Sequence, residues 1–135
     1  MPSGRLVLID TSVWIDYLSR KDPPLGEIVD QLLENDRVAC AAIVLSELIQ
    51  GAKSEKEIRQ LRIFLHPLHW IQGTDAHWER AGELSFRLKQ SGKTANLTDC
   101  YIASLAQSAE AAVLTRDKDF LRIAEARGCN LFMPT

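Results

Sequence analysis

The apolar positions along the chain fall into two alternating patterns. Short continuous runs of β-forming residues are separated by longer stretches in which apolar residues recur every three or four positions. Leu6-Val7-Leu8-Ile9 is the first short run. It has no polar residue to turn toward water, so it reads as a strand buried on both faces, the mark of a parallel sheet. Asp10-Thr11-Ser12 brings helix-capping chemistry, and residues 13–19 read as a short helix. Pro23 and Pro24 open a second helix to about Glu34, with Leu25, Ile28, Leu32 and Leu33 at helical spacing. Residues 37–41 form a second buried run. Periodicity leaves residues 42–50 open between helix and strand, and Gly51, placed as a C-cap, favours helix.

Ser54 caps a helix through Leu65 with the stripe Ile58, Leu61 and Leu65, and Pro67 ends it. Residues 68–71 are a third strand. Thr74 begins a long helix to about Gln90, with Trp78, Ala81, Leu84 and Leu88 expected to face inward. After a polar loop, Asn96 caps a helix over residues 97–108. A fourth strand (111–115), a last helix (118–127) and a fifth strand (129–133) complete the chain. This alternation predicts βαβ units, hence a parallel sheet covered by helices in one domain spanning residues 1–135. Ligands of such sheets sit at the carboxyl ends of the strands, near the switch in strand order.

Composition narrows the picture. The 135 residues are 46% hydrophobic and 25% charged, ordinary for a globular domain. A net charge of −2 argues against a protein that binds nucleic acid by coating phosphate with cations, but not against an enzyme that meets phosphate through a metal. Cys40, Cys100 and Cys129 lack metal-ligand spacing and read as buried thiols. Arg5 is followed by too few apolar residues for a signal peptide, and the longest apolar run, 38–45, is too short to span a bilayer. A cytoplasmic protein, away from membranes, is expected.

The chemistry rests with acids that interrupt apolar stretches or follow strands. Each has a structural reading when taken alone. Asp10 and Asp117 follow the first and fourth strands and can cap the helices after them. Glu47 can lie on the polar edge of its helix, and Asp99 can complement a helix dipole in the first turn. Asp119 reads as charge at a helix start. Together, however, Asp10, Glu47, Asp99 and Asp117 can reach one edge of the sheet. There they would repel one another and call for a hard divalent cation, for which Mg²⁺ is the natural choice. Such a site suits phosphodiester hydrolysis. At an effective dielectric of ~20, two charges about 5 Å apart repel by roughly 3 kcal/mol before screening, so at least one acid should titrate above its ordinary range. His66, His69 and His77 flank the third strand and read as structural or surface residues, and neither a G-x-S-x-G turn nor a phosphate-binding P-loop is present.

Four segments resemble the motifs of PIN-domain ribonucleases, especially VapC-type toxins. They are Leu8-Ile9-Asp10-Thr11-Ser12-Val13-Trp14-Ile15-Asp16, Leu45-Ser46-Glu47-Leu48-Ile49-Gln50-Gly51, Leu97-Thr98-Asp99-Cys100-Tyr101-Ile102-Ala103 and Leu114-Thr115-Arg116-Asp117-Lys118-Asp119-Phe120. They occur in the family's order and span nearly the whole chain. The resemblance implies a three-layer α/β/α domain with a five-stranded parallel sheet in the order 3-2-1-4-5. It also implies a Mg²⁺- or Mn²⁺-dependent endoribonuclease, a homodimer and a cognate antitoxin. On that basis Asp10, Glu47, Asp99 and Asp117 hold metal directly or through water, the hydroxyls of Ser12 and Thr115 hold acids or water in place, and Arg116 contacts substrate phosphate. Metal-activated water would cut single-stranded RNA and leave 5′-phosphate and 3′-hydroxyl ends.

Arg87, Lys89, Lys93 and Lys118 lie near the third and fourth motifs and can form a basic rim for substrate. Trp14, Tyr17, Leu18, Ile58, Leu61 and Leu65 are apolar positions from which the resemblance predicts a groove for an antitoxin helix. Two other readings compete. A PIN-fold binding module without catalysis need not hold a divalent ion. A receiver-like phosphoacceptor needs an aspartate after the third strand and a lysine after the fifth. Gln72 and Gly73 follow the third, and no lysine follows the fifth.

Overall fold

A computed structural model describes residues 4–133, so residues 1–3 and 134–135 of the expected domain span lie outside the described residues. The elements run β1 (Val7–Ile9), α1 (Thr11–Leu18), α2 (Pro23–Glu34), β2 (Val38–Cys40), α3 (Ala42–Gln50), α4 (Glu55–Leu65), β3 (His69–Trp70), α5 (Asp75–Gln90), α6 (Leu97–Ser108), β4 (Ala112–Leu114), α7 (Asp119–Glu125) and β5 (Asn130–Leu131). All pairings are parallel and the order is β3-β2-β1-β4-β5, as the resemblance implied.

Every strand is shorter than its apolar run, for a local reason. β1 and β2 pass directly into helices, with Asp10 and Ala41 in extended conformation at the N-cap positions of α1 and α3. Residues beyond the ladder therefore belong to caps and turns. β1, β2 and β4 are buried along their whole length, which accounts for the absence of polar alternation in their sequences. The helices form two groups that flank the sheet. α1 packs on α2 and α3, and α3 on α4; α5, α6 and α7 pack together, with α6 against β4 and α7 against β5.

Several helix starts follow the expected capping chemistry. The Ser54 side chain accepts from the Glu57 amide (3.2 Å), and Asn96 Oδ1 accepts from the Thr98 amide (2.8 Å). Gly51 is the C-cap of α3 but keeps a right-handed backbone, so its position does not demand glycine. α1 begins at Thr11, two residues earlier than expected.

Two expectations about side chains need correction. Ala81, Leu84 and Leu88 of α5 are buried, but Trp78 is 41% exposed; its ring stacks on Tyr101 at 3.7 Å, and His77 takes the inward place. His77 Nδ1 accepts from the Thr74 amide, leaving Nε2 to meet Ser108 Oγ at 3.0 Å. On α4 only Leu65 of the predicted stripe is fully covered, while Ile58 and Leu61 are half-buried.

The three thiols are free and buried. Burial pushes Cys40 and Cys100 up to about 11 and Cys129 up to about 12, which leaves them protonated and unreactive. Among the described residues no helix is long and apolar enough to cross a membrane.

The turn before α5 depends on a close approach. A Cβ at Gly73 would run into the Tyr101 hydroxyl and meet Leu105 Cδ2 at 3.4 Å. Gly73→Ala should therefore displace Tyr101 from under Trp78 and cost about 1–3 kcal/mol, the usual range for overpacking. Urea unfolding measures this. An unchanged midpoint would mean that Tyr101 moves aside freely.

Candidate metal centre

The site begins with strand register. Ile9 lies opposite Leu114, and the Asp10 amide donates to the Leu114 carbonyl at 2.9 Å. Asp10 and Thr115, the residues that follow the two strands, therefore emerge side by side. Asp10 is only 4% exposed. Its carbonyl accepts the first amides of α1, yet its side chain makes no cap bond. Oδ2 instead accepts from Ser12 Oγ at 2.8 Å and from Thr115 Oγ1 at 2.9 Å.

Each hydroxyl gives its single proton to Asp10 and offers a lone pair to the backbone of the loop after β4. The Arg116 amide donates to Ser12 Oγ (3.1 Å) and the Asp117 amide to Thr115 Oγ1 (3.0 Å). Two hydroxyls thus fix Asp10 and the Asp117 backbone to one another.

Asp99, Asp117 and Asp119 each offer a carboxylate oxygen, and these oxygens all lie within 4.8 Å of one another. Asp99 stands in the first turn of α6 and is partly buried. Burial, then the negative charges of Asp117 and Asp10, push its carboxyl up to about 8. Asp117 Oδ1 accepts from the Asp119 amide (2.9 Å), so this acid also starts α7. Asp119, read from the sequence as charge at a helix start, joins this cluster. Its Oδ1 accepts from Arg122 (2.8 Å) and its Oδ2 from the Asn96 amide (3.0 Å). The only signal for it was its place two residues after Asp117.

Glu47 is outside this trio. Its Oε1 accepts from Thr11 Oγ1 at 2.8 Å, which ties α3 to the residue next to Asp10. Thr11 was not foreseen, since nothing in its spacing tells which helix it faces. The expected substrate cations are dispersed. Lys93 pairs with Glu125 (3.1 Å), Lys118 is exposed at the N-cap of α7, and Arg116 is bound to Asp22 (2.6 Å) and Asp16 (3.4 Å). The Arg116 hydrogen bond, then the Leu25 amide, hold the Asp22 carboxyl below the usual carboxylate range.

The donor set fits a hard divalent cation. It consists of carboxylate oxygens, it is crowded, and one member resists ionisation where no cation compensates it. Zinc-type nitrogen or sulfur ligands do not join the cluster among the described residues.

A second feature lies on another face of α1. Ile15 and Leu18 of α1, Leu48 of α3, and Leu61 and Phe64 of α4 line an open cleft of about 680 Å³. Of the six apolar positions expected there, Leu18 and Leu61 line it. Trp14 and Leu65 are fully buried, with Trp14 set edge-on against Tyr17 and Phe64.

Comparison with known proteins agrees with this arrangement. A family model described as "PIN domain" matches residues 7–126. The chain is 28% identical to Ribonuclease VapC1 of Haemophilus influenzae, covering 89% of this chain and 93% of that protein. It is 30% identical to Ribonuclease VapC11 of Mycobacterium tuberculosis, covering 88% and 92%. Among solved structures it is similar to a member of the VapBC family of toxin–antitoxin systems, VapBC-5 of M. tuberculosis, with TM-score 0.67, 25% identity, and coverage of 97% and 100%.

The raised Asp99 carboxyl makes stability depend on pH. Below about pH 4 it is protonated in both folded and unfolded chains. Between about pH 4 and its folded value of about 8, the folded protein keeps a proton that the unfolded chain has released. Stability therefore falls as pH rises through that window. In metal-free buffer Asp99→Asn should remove this part of the slope and melt at or above the wild type near pH 8. Thermal melts across the pH range test it, and identical slopes for the two proteins would refute it.

Proposed function

This chain belongs to the PIN domain family, and from that premise we propose that it is a Mg²⁺- or Mn²⁺-dependent endoribonuclease, the toxin of a VapBC-type toxin–antitoxin pair. The observation that carries the reading is the crowding of Asp99, Asp117 and Asp119 beside Asp10 at the carboxyl ends of β1 and β4. Relatives named as VapC ribonucleases over nearly the full chain support the choice of RNA as substrate.

In this mechanism Asp10, Glu47, Asp99 and Asp117 hold the ion, directly or through water, with Asp119 beside them. The bound ion supplies Lewis-acid polarisation of the phosphoryl group and a lowered pKa for an attacking water. The chain's own groups provide the geometry. Ser12 and Thr115 donate to Asp10 and fix its orientation, and Thr11 does the same for Glu47. Burial and the charges of Asp117 and Asp10 make Asp99 the acid of the site that holds a proton most readily, and a bound cation would favour its ionised form. The exposed Lys118, and Lys93 once Glu125 releases it, would attract substrate phosphate. Hydrolysis would leave 5′-phosphate and 3′-hydroxyl ends, and single-stranded RNA is the form able to enter an open site.

The cleft along α1, α3 and α4 would seat an apolar helix face of the antitoxin, and the toxin would act as a homodimer.

Cleavage of a labelled single-stranded RNA by the purified protein should require Mg²⁺ or Mn²⁺ and stop with EDTA. Asp10→Asn and Asp99→Asn should each lower the rate at least about a hundredfold. Full activity in EDTA would remove the metal from the mechanism. Mn²⁺ binding without cleavage of any RNA would leave a PIN-fold binding module.

A further inference from the structure

The loop between β4 and α7 carries Thr115, Arg116 and Asp117, and three of its tethers lead to the first quarter of the chain. Thr115 Oγ1 donates to Asp10, and the Arg116 amide donates to Ser12 Oγ. The third tether is the Arg116 side chain. Nη1 reaches Asp22 Oδ2 at 2.6 Å and Nε reaches Asp16 Oδ2 at 3.4 Å. Asp16 lies on α1, one turn beyond Ser12. Asp22 is the N-cap of α2, and its other oxygen accepts from the Leu25 amide at 3.2 Å. One guanidinium therefore joins the loop to two helices, and both oxygens of Asp22 are engaged.

Two physical points decide what this pairing does. The side chains of Arg116, Asp16 and Asp22 are 45%, 23% and 31% exposed, and ion pairs this open to water add little to stability. What a planar guanidinium fork adds is direction. The group of one arginine and two carboxylates also carries net negative charge, so it presents nothing attractive to a phosphate unless both contacts break.

Resting on the proposed nuclease reading, we propose that Arg116 is a positioning residue: its grip on Asp16 and Asp22 holds the loop so that Thr115 and Asp117 face Asp10, and it is not a ligand for RNA phosphate. This replaces the phosphate-contact role expected from the sequence. Arg116 acts through the residues on either side of it, and Asp16 and Asp22 become part of the machinery although neither belongs to the acid cluster.

The test frees the arginine without removing it. Asp22→Asn keeps an oxygen for the Leu25 amide, so Asp16→Asn/Asp22→Asn leaves α2 capped while it weakens both pairs. Three readouts are compared with Arg116→Gln and Arg116→Lys. They are amide exchange at Arg116 and Asp117 in metal-free protein, affinity for Mn²⁺ alone by calorimetry, and kcat and KM on a single-stranded RNA oligonucleotide. For a positioning role, the double variant and Arg116→Gln should behave alike. The two amides exchange faster, Mn²⁺ affinity falls about tenfold, and kcat falls with KM nearly unchanged. Adding Arg116→Gln to the double variant should change little more, and Arg116→Lys should restore only part of the loss.

The opposite pattern overturns the proposal. A freed phosphate ligand would leave amide exchange and Mn²⁺ affinity unchanged and would lower KM in the double variant, while Arg116→Gln would raise it. Amide exchange needs neither metal nor RNA, so it decides the positioning role even if no RNA is cleaved, an outcome that would count only against the nuclease reading.

Discussion

Two hydroxyl protons converge on one oxygen of Asp10, that of Ser12 from two residues away and that of Thr115 from 105 residues along the chain. They can do so because β1 and β4 are parallel neighbours that end in step. In the order β3-β2-β1-β4-β5, the boundary between β1 and β4 is also where successive crossovers begin to run in the opposite direction. Helices that leave these strands diverge and open a crevice at the carboxyl ends. Topology thus supplies the crevice, register supplies the pairing of Asp10 with Thr115, and the hydroxyls turn that pairing into a fixed carboxylate. Without the donors a side chain only 4% exposed would lose the hydrogen bonds that its burial requires.

The same closeness opposes folding when no cation is present. Asp99 is crowded by Asp117 and Asp10 and half removed from water, so its ionised form is disfavoured. Asp119 is treated differently, since Arg122 one turn later neutralises it and the Asn96 amide donates to it. Of the three clustered acids, Asp119 therefore has a cationic partner and Asp99 has its burial and like-charged neighbours against it. Asp119 braces the start of α6 against the start of α7, and Asp99 is left as the group whose charge most needs a counterion. Local instability at such a place is the usual companion of function, and the buried strands around it carry the fold.

The elements and the parallel sheet were readable from the sequence because the signals that specify them are local or repeated along the chain, whereas the strand order came from the resemblance to PIN-domain ribonucleases. Strands without polar alternation announce a sheet covered on both faces, and Ser54 and Asn96 announce helix starts. The acids at strand ends were readable for the same reason. What escaped was decided across the fold. Trp78 has the right helical spacing to be core, but His77 takes the inward place, and the indole is left stacked on Tyr101, which packs against Gly73. The resemblance gave Arg116 a role toward substrate phosphate, and its ion pairs were not legible in the sequence. Its actual partners, Asp16 and Asp22, lie about a hundred residues earlier, and no spacing rule relates them. Thr11 hid in the same way, as an ordinary first-turn threonine whose hydroxyl meets Glu47 on another helix.

The role of α1 emerges only when both faces of the helix are considered together. Its start carries Thr11 and Ser12, which hold Glu47 and Asp10, and Asp16 in its middle meets Arg116. Ile15 and Leu18 face the apolar cleft shared with α3 and α4. An eight-residue helix is only about 12 Å long. Ile15 and Leu18 thus share one short stretch of backbone with the hydroxyls that meet two of the acids and with the carboxylate that meets Arg116. The cleft and the acid cluster are separate surfaces built on one short lever.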